Sequence, residues 1–127
     1  MKNWKSIWNS KNIQNISEIT ISDLIKLDGF DTGFGSYDEV NWVEMVNQFV
    51  KKVDLHPNSN VYEIGCGCGV FLYIIQQKVE INCFGIDYSK SLIDIAKRVI
   101  PKGKFLEIEA INMHSFGEVF DVIFSHS

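Results

Sequence analysis

Apolar residues in this chain fall into two rhythms that trade places along its length. Trp42, Met45, Val46, Phe49 and Val53 recur at i, i+3, i+4, i+7 and i+11, one face of a helix that begins near Asp38. The turn residues His56-Pro57-Asn58-Ser59 close it. Val61-Tyr62-Glu63-Ile64 is a short, mainly apolar run that stops at Gly65, the pattern of a strand buried on both faces. Phe71 to Lys78 returns to the helical rhythm, with Phe71, Ile74 and Ile75 on one side. Ile81 to Ile86 predicts a second strand that ends at Asp87. Ser91 and Asp94 fit a capping box at the start of a third helix, whose Leu92, Ile95, Ala96 and Val99 face the core. Lys97 and Arg98 complement the dipole in its last turn, and Pro101 stops it. Lys104 to Ile108 and Phe120 to Ser125 predict two more strands. The stretch 109–119 between them is short for a helical crossover and leaves room for one turn of helix.

Alternating buried strands and helices predict an α/β fold: a Rossmann-like, doubly wound, mostly parallel sheet. The segment 1–37 reads differently. Ser22 to Leu27 predicts a short helix closed by Gly29. After it, Gly29-Phe30-Asp31-Thr32-Gly33-Phe34-Gly35-Ser36 interleaves glycines with aromatics, as in a loop that lies close over something. The expected division is a lid or irregular segment over 1–37 and a sheet domain over 38–127.

Composition narrows the class. The 127 residues are 46% hydrophobic and 22% charged, ordinary values for one globular domain. The net charge of −4 and the isolated basic pairs Lys51-Lys52 and Lys97-Arg98 argue against a nucleic-acid surface. No apolar run reaches the ~18 residues of a membrane span, and Met1 to Ser10 has no signal-peptide core. The odd set Cys66, Cys68 and Cys83 fits a reducing compartment, so a cytoplasmic setting is expected.

The chemistry concentrates after the first strand. Glu63-Ile64-Gly65-Cys66-Gly67-Cys68-Gly69 joins a strand to a helix, where open α/β sheets bind ligands. Glycines alternate there because a Cβ would block a ligand from the backbone. The helix after Gly69 offers amide N–H groups that suit a carboxylate. Asp87 ends the second strand 22 residues after Gly65, a spacing at which its carboxylate can accept both hydroxyls of a ribose. A dinucleotide and S-adenosylmethionine both fit a glycine loop followed by an acid. Two residues separate them. The dinucleotide fingerprint would place its third glycine at position 70, which is Val70. Glu63 would repel a pyrophosphate and attract an ammonium or sulfonium, by several kcal/mol (roughly) before desolvation is subtracted.

On these residues the chain resembles the class I S-adenosylmethionine-dependent methyltransferases. Val61-Tyr62-Glu63-Ile64-Gly65-Cys66-Gly67-Cys68-Gly69 is similar to their first motif, E/D-x-G-x-G-x-G. Gly85-Ile86-Asp87-Tyr88-Ser89 resembles the second, and Phe120 to Ser125 the fourth-strand segment. The resemblance implies that Gly65, Gly67 and Gly69 wrap the methionine part of the cofactor while Glu63 helps hold its amino end. It puts Asp87 on the ribose, Tyr88 against the adenine and Glu109 at the adenine amino group. Trp4, Trp8 and the Gly29 to Tyr37 loop fall where many members carry a cofactor lid.

The resemblance implies methyl transfer to a small-molecule acceptor, without nucleic acid or membrane. The alternatives are a binding module for S-adenosylmethionine or S-adenosylhomocysteine without turnover, and a fragment of a nicotinamide-dependent dehydrogenase. No catalytic residue is assigned. His114 and His126 are candidate bases, more simply read as solvated loop and chain-end residues. Cys66, Cys68 and Cys83 lack the spacing of a zinc site, so no metal is expected. The family usually has seven strands in the order 3-2-1-4-5-7-6, whereas this sequence ends just after the fourth. A fragment, a split protein or a truncated product is expected, with the fourth strand as an open edge able to self-associate.

Overall fold

The computed structural model describes residues 20–27 and 39–125. The lid segment's Trp4, Trp8, Phe30 and Phe34, and His126, lie outside the described residues. Helix α1 spans Ile21–Leu27 and α2 Glu39–Lys52. Strand β1 (Asn60–Ile64), α3 (Val70–Gln76), β2 (Asn82–Asp87), α4 (Lys90–Val99), β3 (Lys104–Glu107) and β4 (Val122–Phe124) follow. The strands are all parallel, in the order β3-β2-β1-β4. This is the α/β Rossmann-like arrangement the apolar rhythm predicts.

The sheet has two unlike faces, because neighbouring strand residues point in opposite directions. Val61, Cys83 and Phe105 join the helix-covered core with Trp42, Val46, Phe71, Leu72 and Ile75. In α2 the expected stripe is seated: Trp42 and Val46 are buried, and Phe49 meets Phe71 at 5.2 Å and Phe124 at 4.6 Å between ring centroids. Val53 falls just beyond the helix.

The opposite face carries Tyr62, Phe84 and Ile86. The connection between β3 and β4 covers it. Its only helical part among the described residues is a 3₁₀ turn at Ala110–Asn112, so aromatic rings supply the cover. Phe120 meets Tyr62 edge-on at 4.8 Å and Phe84 at 4.9 Å, and Phe116 meets them at 5.4 and 5.5 Å. The Tyr62 hydroxyl donates to the His114 carbonyl at 2.8 Å. β4 is tied at its start: Asn60 N–H donates to Asp121 Oδ2 at 2.7 Å, and Asp121 N–H returns to the Asn60 carbonyl at 2.9 Å. Beyond that β4 pairs only with β1 among the described residues, and Ile123 is 48% exposed.

Two details of α4 correct the sequence reading. The cap is Ser89, not Ser91: Ser89 is extended (φ −90°, ψ 110°) and its hydroxyl accepts from Leu92 N–H at 3.4 Å. Ser91 lies inside the helix, and its hydroxyl pairs with that of Ser89 at 3.2 Å. The buried stripe is also wider, with Ile93 buried alongside Ile95 and Ala96, because α4 rests on both β2 and β3.

The two serines separate by mutation. Ser89→Ala is expected to cost about 1 kcal/mol of folding stability and Ser91→Ala less than about 0.5 kcal/mol, measured by urea denaturation.

Candidate functional site

Between β1 and α3 the chain turns through Gly65, Gly67 and Gly69 at φ of +75°, +56° and +84°. L residues are strained in this region, so glycine is required for the path itself. Gly65 and Gly69 otherwise differ. A Cβ on Gly65 would meet no atom within 4 Å, so this position opens onto unfilled space. A Cβ on Gly69 would lie 3.4 Å from the Cβ of Ala96, so this glycine lets the loop close on α4. The loop is pinned to β2, where the Ile86 carbonyl accepts from both Gly65 N–H (2.8 Å) and Cys66 N–H (2.9 Å).

Asp87 closes the other side. It is 8% exposed, and its two carboxylate oxygens serve two different turns. Oδ1 accepts from Gly67 N–H at 3.1 Å, and Oδ2 from Ser89 N–H at 2.9 Å. A carboxylate offers about four lone-pair sites, so acceptor capacity remains after these two bonds. The strand order reverses between β1 and β4, so the carboxyl end of β1 lies at a switch point of the kind where open α/β sheets bind ligands, with the end of β2 next to it.

Glu63 pairs in register with Gly85 and is completely buried. Strand alternation puts it on the helix-covered face, with Val61. Burial, and then the Glu63 charge, push the Cys83 thiol from its ordinary 9.0 up to about 12. Tyr88 is 80% exposed immediately beyond Asp87. Glu109 is exposed at the entry to the 3₁₀ turn, two residues past Glu107, which pairs in register with Asp87. Gly65, Asp87, Tyr88 and Glu109 therefore gather at one end of the sheet, the carboxyl ends of β1, β2 and β3.

His114 is committed elsewhere, its Nδ1 accepting from Phe116 N–H at 2.9 Å in the turn that covers the aromatic face. Among the described residues no group of three or more His, Cys, Asp or Glu is placed to hold a metal ion. None of the described helices is long and apolar enough to cross a membrane. Contact between α1 and the loop has no signal in the sequence. The Cys68 thiol donates to the Leu24 carbonyl at 3.2 Å, and Leu24 and Ile25 are buried in the core. This contact bridges 44 residues and leaves no local pattern.

A glycine turn and an acid at adjoining strand ends, beside the reversal of strand order, define an α/β domain of the kind whose switch points bind ligands. The chain belongs to the methyltransferase domain family, whose model matches residues 55–127. It is 32% identical over 100 residues to phosphoethanolamine N-methyltransferase 1 of Arabidopsis thaliana, covering 76% of this chain and 20% of that protein. It is 29% identical over 91 residues to a ubiquinone/menaquinone biosynthesis C-methyltransferase of Campylobacter jejuni, covering 67% of this chain and 39% of that one. A SAM-dependent methyltransferase from Thiobacillus denitrificans, solved with S-adenosyl-L-homocysteine, superposes with a TM-score of 0.56 at 26% identity. That match covers 65% of this chain and 35% of the other. The chain thus spans about a fifth of the plant relative's length and about two fifths of the bacterial one's.

The buried thiol gives a pH prediction. An unfolded cysteine loses its proton near 9.0 and the folded Cys83 near 12, so the unfolded chain binds fewer protons across that window. Stability then falls as pH rises above 9, at a limiting slope of about 1.4 kcal/mol per pH unit. Urea denaturation of the Cys83→Ala variant is expected to show a shallower decline over this range than the parent.

Proposed function

We propose that this chain binds S-adenosylmethionine in the crevice over β1 and β2, and that it serves methyl transfer to a small-molecule acceptor. The observation that carries the reading is the Asp87 carboxylate, held at the tip of β2 by Gly67 and Ser89 beside the open space at Gly65. That space lies where a Cβ would intrude, so the residues fit a ligand that approaches the backbone closely. Val70, where a dinucleotide fingerprint would have glycine, is fully buried at the start of α3.

In this reading Gly65, Gly67 and Gly69 line the methionine portion, and Glu63 attracts its ammonium end from a buried position near the end of β1. Asp87 accepts the ribose hydroxyls with its remaining lone pairs. Tyr88 packs on the adenine, and Glu109 accepts from the adenine amino group. When bound, the cofactor supplies a methyl group on a positively charged sulfur. The chain's own residues fix the direction in which that methyl points. Orientation of this kind supplies a large part of such a rate enhancement without a dedicated acid or base.

A small-molecule acceptor is supported by the names of the two relatives, which point to phosphoethanolamine and to quinone biosynthesis. A cytoplasmic setting is supported by three buried thiols, one of them held strongly protonated. Self-association is supported by the β4 edge and the exposed Ile123.

Calorimetric titration of S-adenosylhomocysteine into the folded chain tests the proposal, and no heat at millimolar ligand overturns it. Asp87→Ala is expected to weaken S-adenosylhomocysteine by about 2 kcal/mol, roughly 30-fold, through lost charge-assisted hydrogen bonds. Free methionine has no ribose and should lose much less. Equal losses for the two ligands would remove the ribose role from Asp87.

A further inference from the structure

Gly85 sits in the middle of β2, paired with Glu63 on one side and Phe105 on the other. A glycine inside a strand weakens it, and often marks a place where something else must approach. Here the approaching group belongs to the glycine loop. A Cβ built on Gly85 would lie 2.7 Å from Cys66 Sγ, 2.9 Å from Cys66 Cβ and 3.0 Å from Phe105 Cδ1. The Cys66 side chain therefore occupies the slot that the missing Gly85 side chain leaves on the sheet.

Cys66 stands between the two glycines that matter most to the crevice. Gly65 faces the open space, and Gly67 donates to Asp87. Cys66 is itself 2% exposed, and its N–H bonds Ile86, the residue that follows Gly85. Its side chain and backbone thus seat the loop on β2 at two points. The depth of that seat sets the height of Gly67 relative to the Asp87 carboxylate.

We propose that Cys66 is a positioning residue, its side chain seated over Gly85 and against Phe105 so that the loop holds Gly67 on Asp87 and the crevice keeps its ligand-ready shape. The inference rests on the S-adenosylmethionine reading and adds to it a size match between positions 66 and 85. The fit is tight in one direction only. Adding a methyl at 85 lifts the loop, whereas removing the side chain at 66 makes room for that methyl.

The test uses the full chain and two readouts. One is the amide proton resonance of Gly67 without ligand, which reports its bond to Asp87. The other is the dissociation constant for S-adenosylhomocysteine. Gly85→Ala should shift the Gly67 resonance and weaken the ligand by about tenfold or more, as overpacking at a buried contact does. In a Cys66→Gly background the same Gly85→Ala change should weaken the ligand by less than about threefold, since the two closest clashes, with Cys66 Sγ and Cβ, are gone and only the 3.0 Å approach to Phe105 Cδ1 remains. Equal losses in the two backgrounds, or an unmoved Gly67 resonance, overturn the proposal. Should Gly85→Ala fail to fold, Cys66→Ala takes its place; it overfills nothing and should speed hydrogen exchange at the Gly67 amide by about tenfold by loosening its bond to Asp87, and an unchanged exchange rate overturns the proposal. If the parent chain binds no S-adenosylhomocysteine, the cofactor reading falls. The Gly67 resonance then decides the positioning role alone, supporting it if moved and overturning it if not.

Discussion

One carboxylate ties the site together. Asp87 accepts from Gly67 on the loop after β1 and from Ser89 at the entry to α4. Hydrogen bonds to a charged acceptor are among the stronger ones, about 1.5–3 kcal/mol each. A buried carboxylate needs such partners, because leaving it unpaired costs more than the fold can spare. The same strut therefore satisfies the acid and joins two crossover turns into one body. Connecting loops are ordinarily the mobile parts of a domain. Here the Ile86 carbonyl adds two more bonds, so the glycine turn is fixed before any ligand arrives.

Much of this was legible in the sequence, because the governing patterns are local. β1 reads as a strand since Val61, Tyr62 and Glu63 are all buried in the sheet. The glycine turn and the acid at the end of β2 are visible as motifs, and the fold places them side by side. The cap of α4 is ambiguous in the sequence because two serines compete. Ser91 has an acid three residues on, whereas Ser89 has a leucine, and only the extended backbone at Ser89 settles the matter. Contacts between distant residues had no signal at all. Cys68 with Leu24 and Cys66 with Gly85 depend on how the helices and the loop settle on the sheet, and no spacing announces them.

The aromatic face shows a different economy. Parallel sheets need cover on both sides, and helices normally provide it. Between β3 and β4 there is room for only a 3₁₀ turn, so bulk comes from rings. Phe116 and Phe120 stand edge-on to Tyr62 and Phe84, contacts worth about 0.5–1.5 kcal/mol each beyond the area they bury. Phe116 reaches its place at φ +57°, an uncommon conformation for a non-glycine residue. The turn around it is held by His114 Nδ1, which explains why this histidine serves the sheet face and not the crevice.

Similarity to two kinds of methyltransferase limits what this stretch of chain can specify. It is 32% identical to an enzyme named for methylating nitrogen and 29% identical to one named for methylating carbon. A segment similar to both encodes what the two share, and they share a methyltransferase domain rather than an acceptor. On the proposed reading, the groups gathered at the strand ends are a backbone turn and carboxylates that would receive a cationic nucleoside. None of them discriminates between an amine and a carbon nucleophile. On the proposed reading, selection of the acceptor then falls to groups that touch the methyl from its far side, and the cradle would aim that methyl the same way for either chemistry.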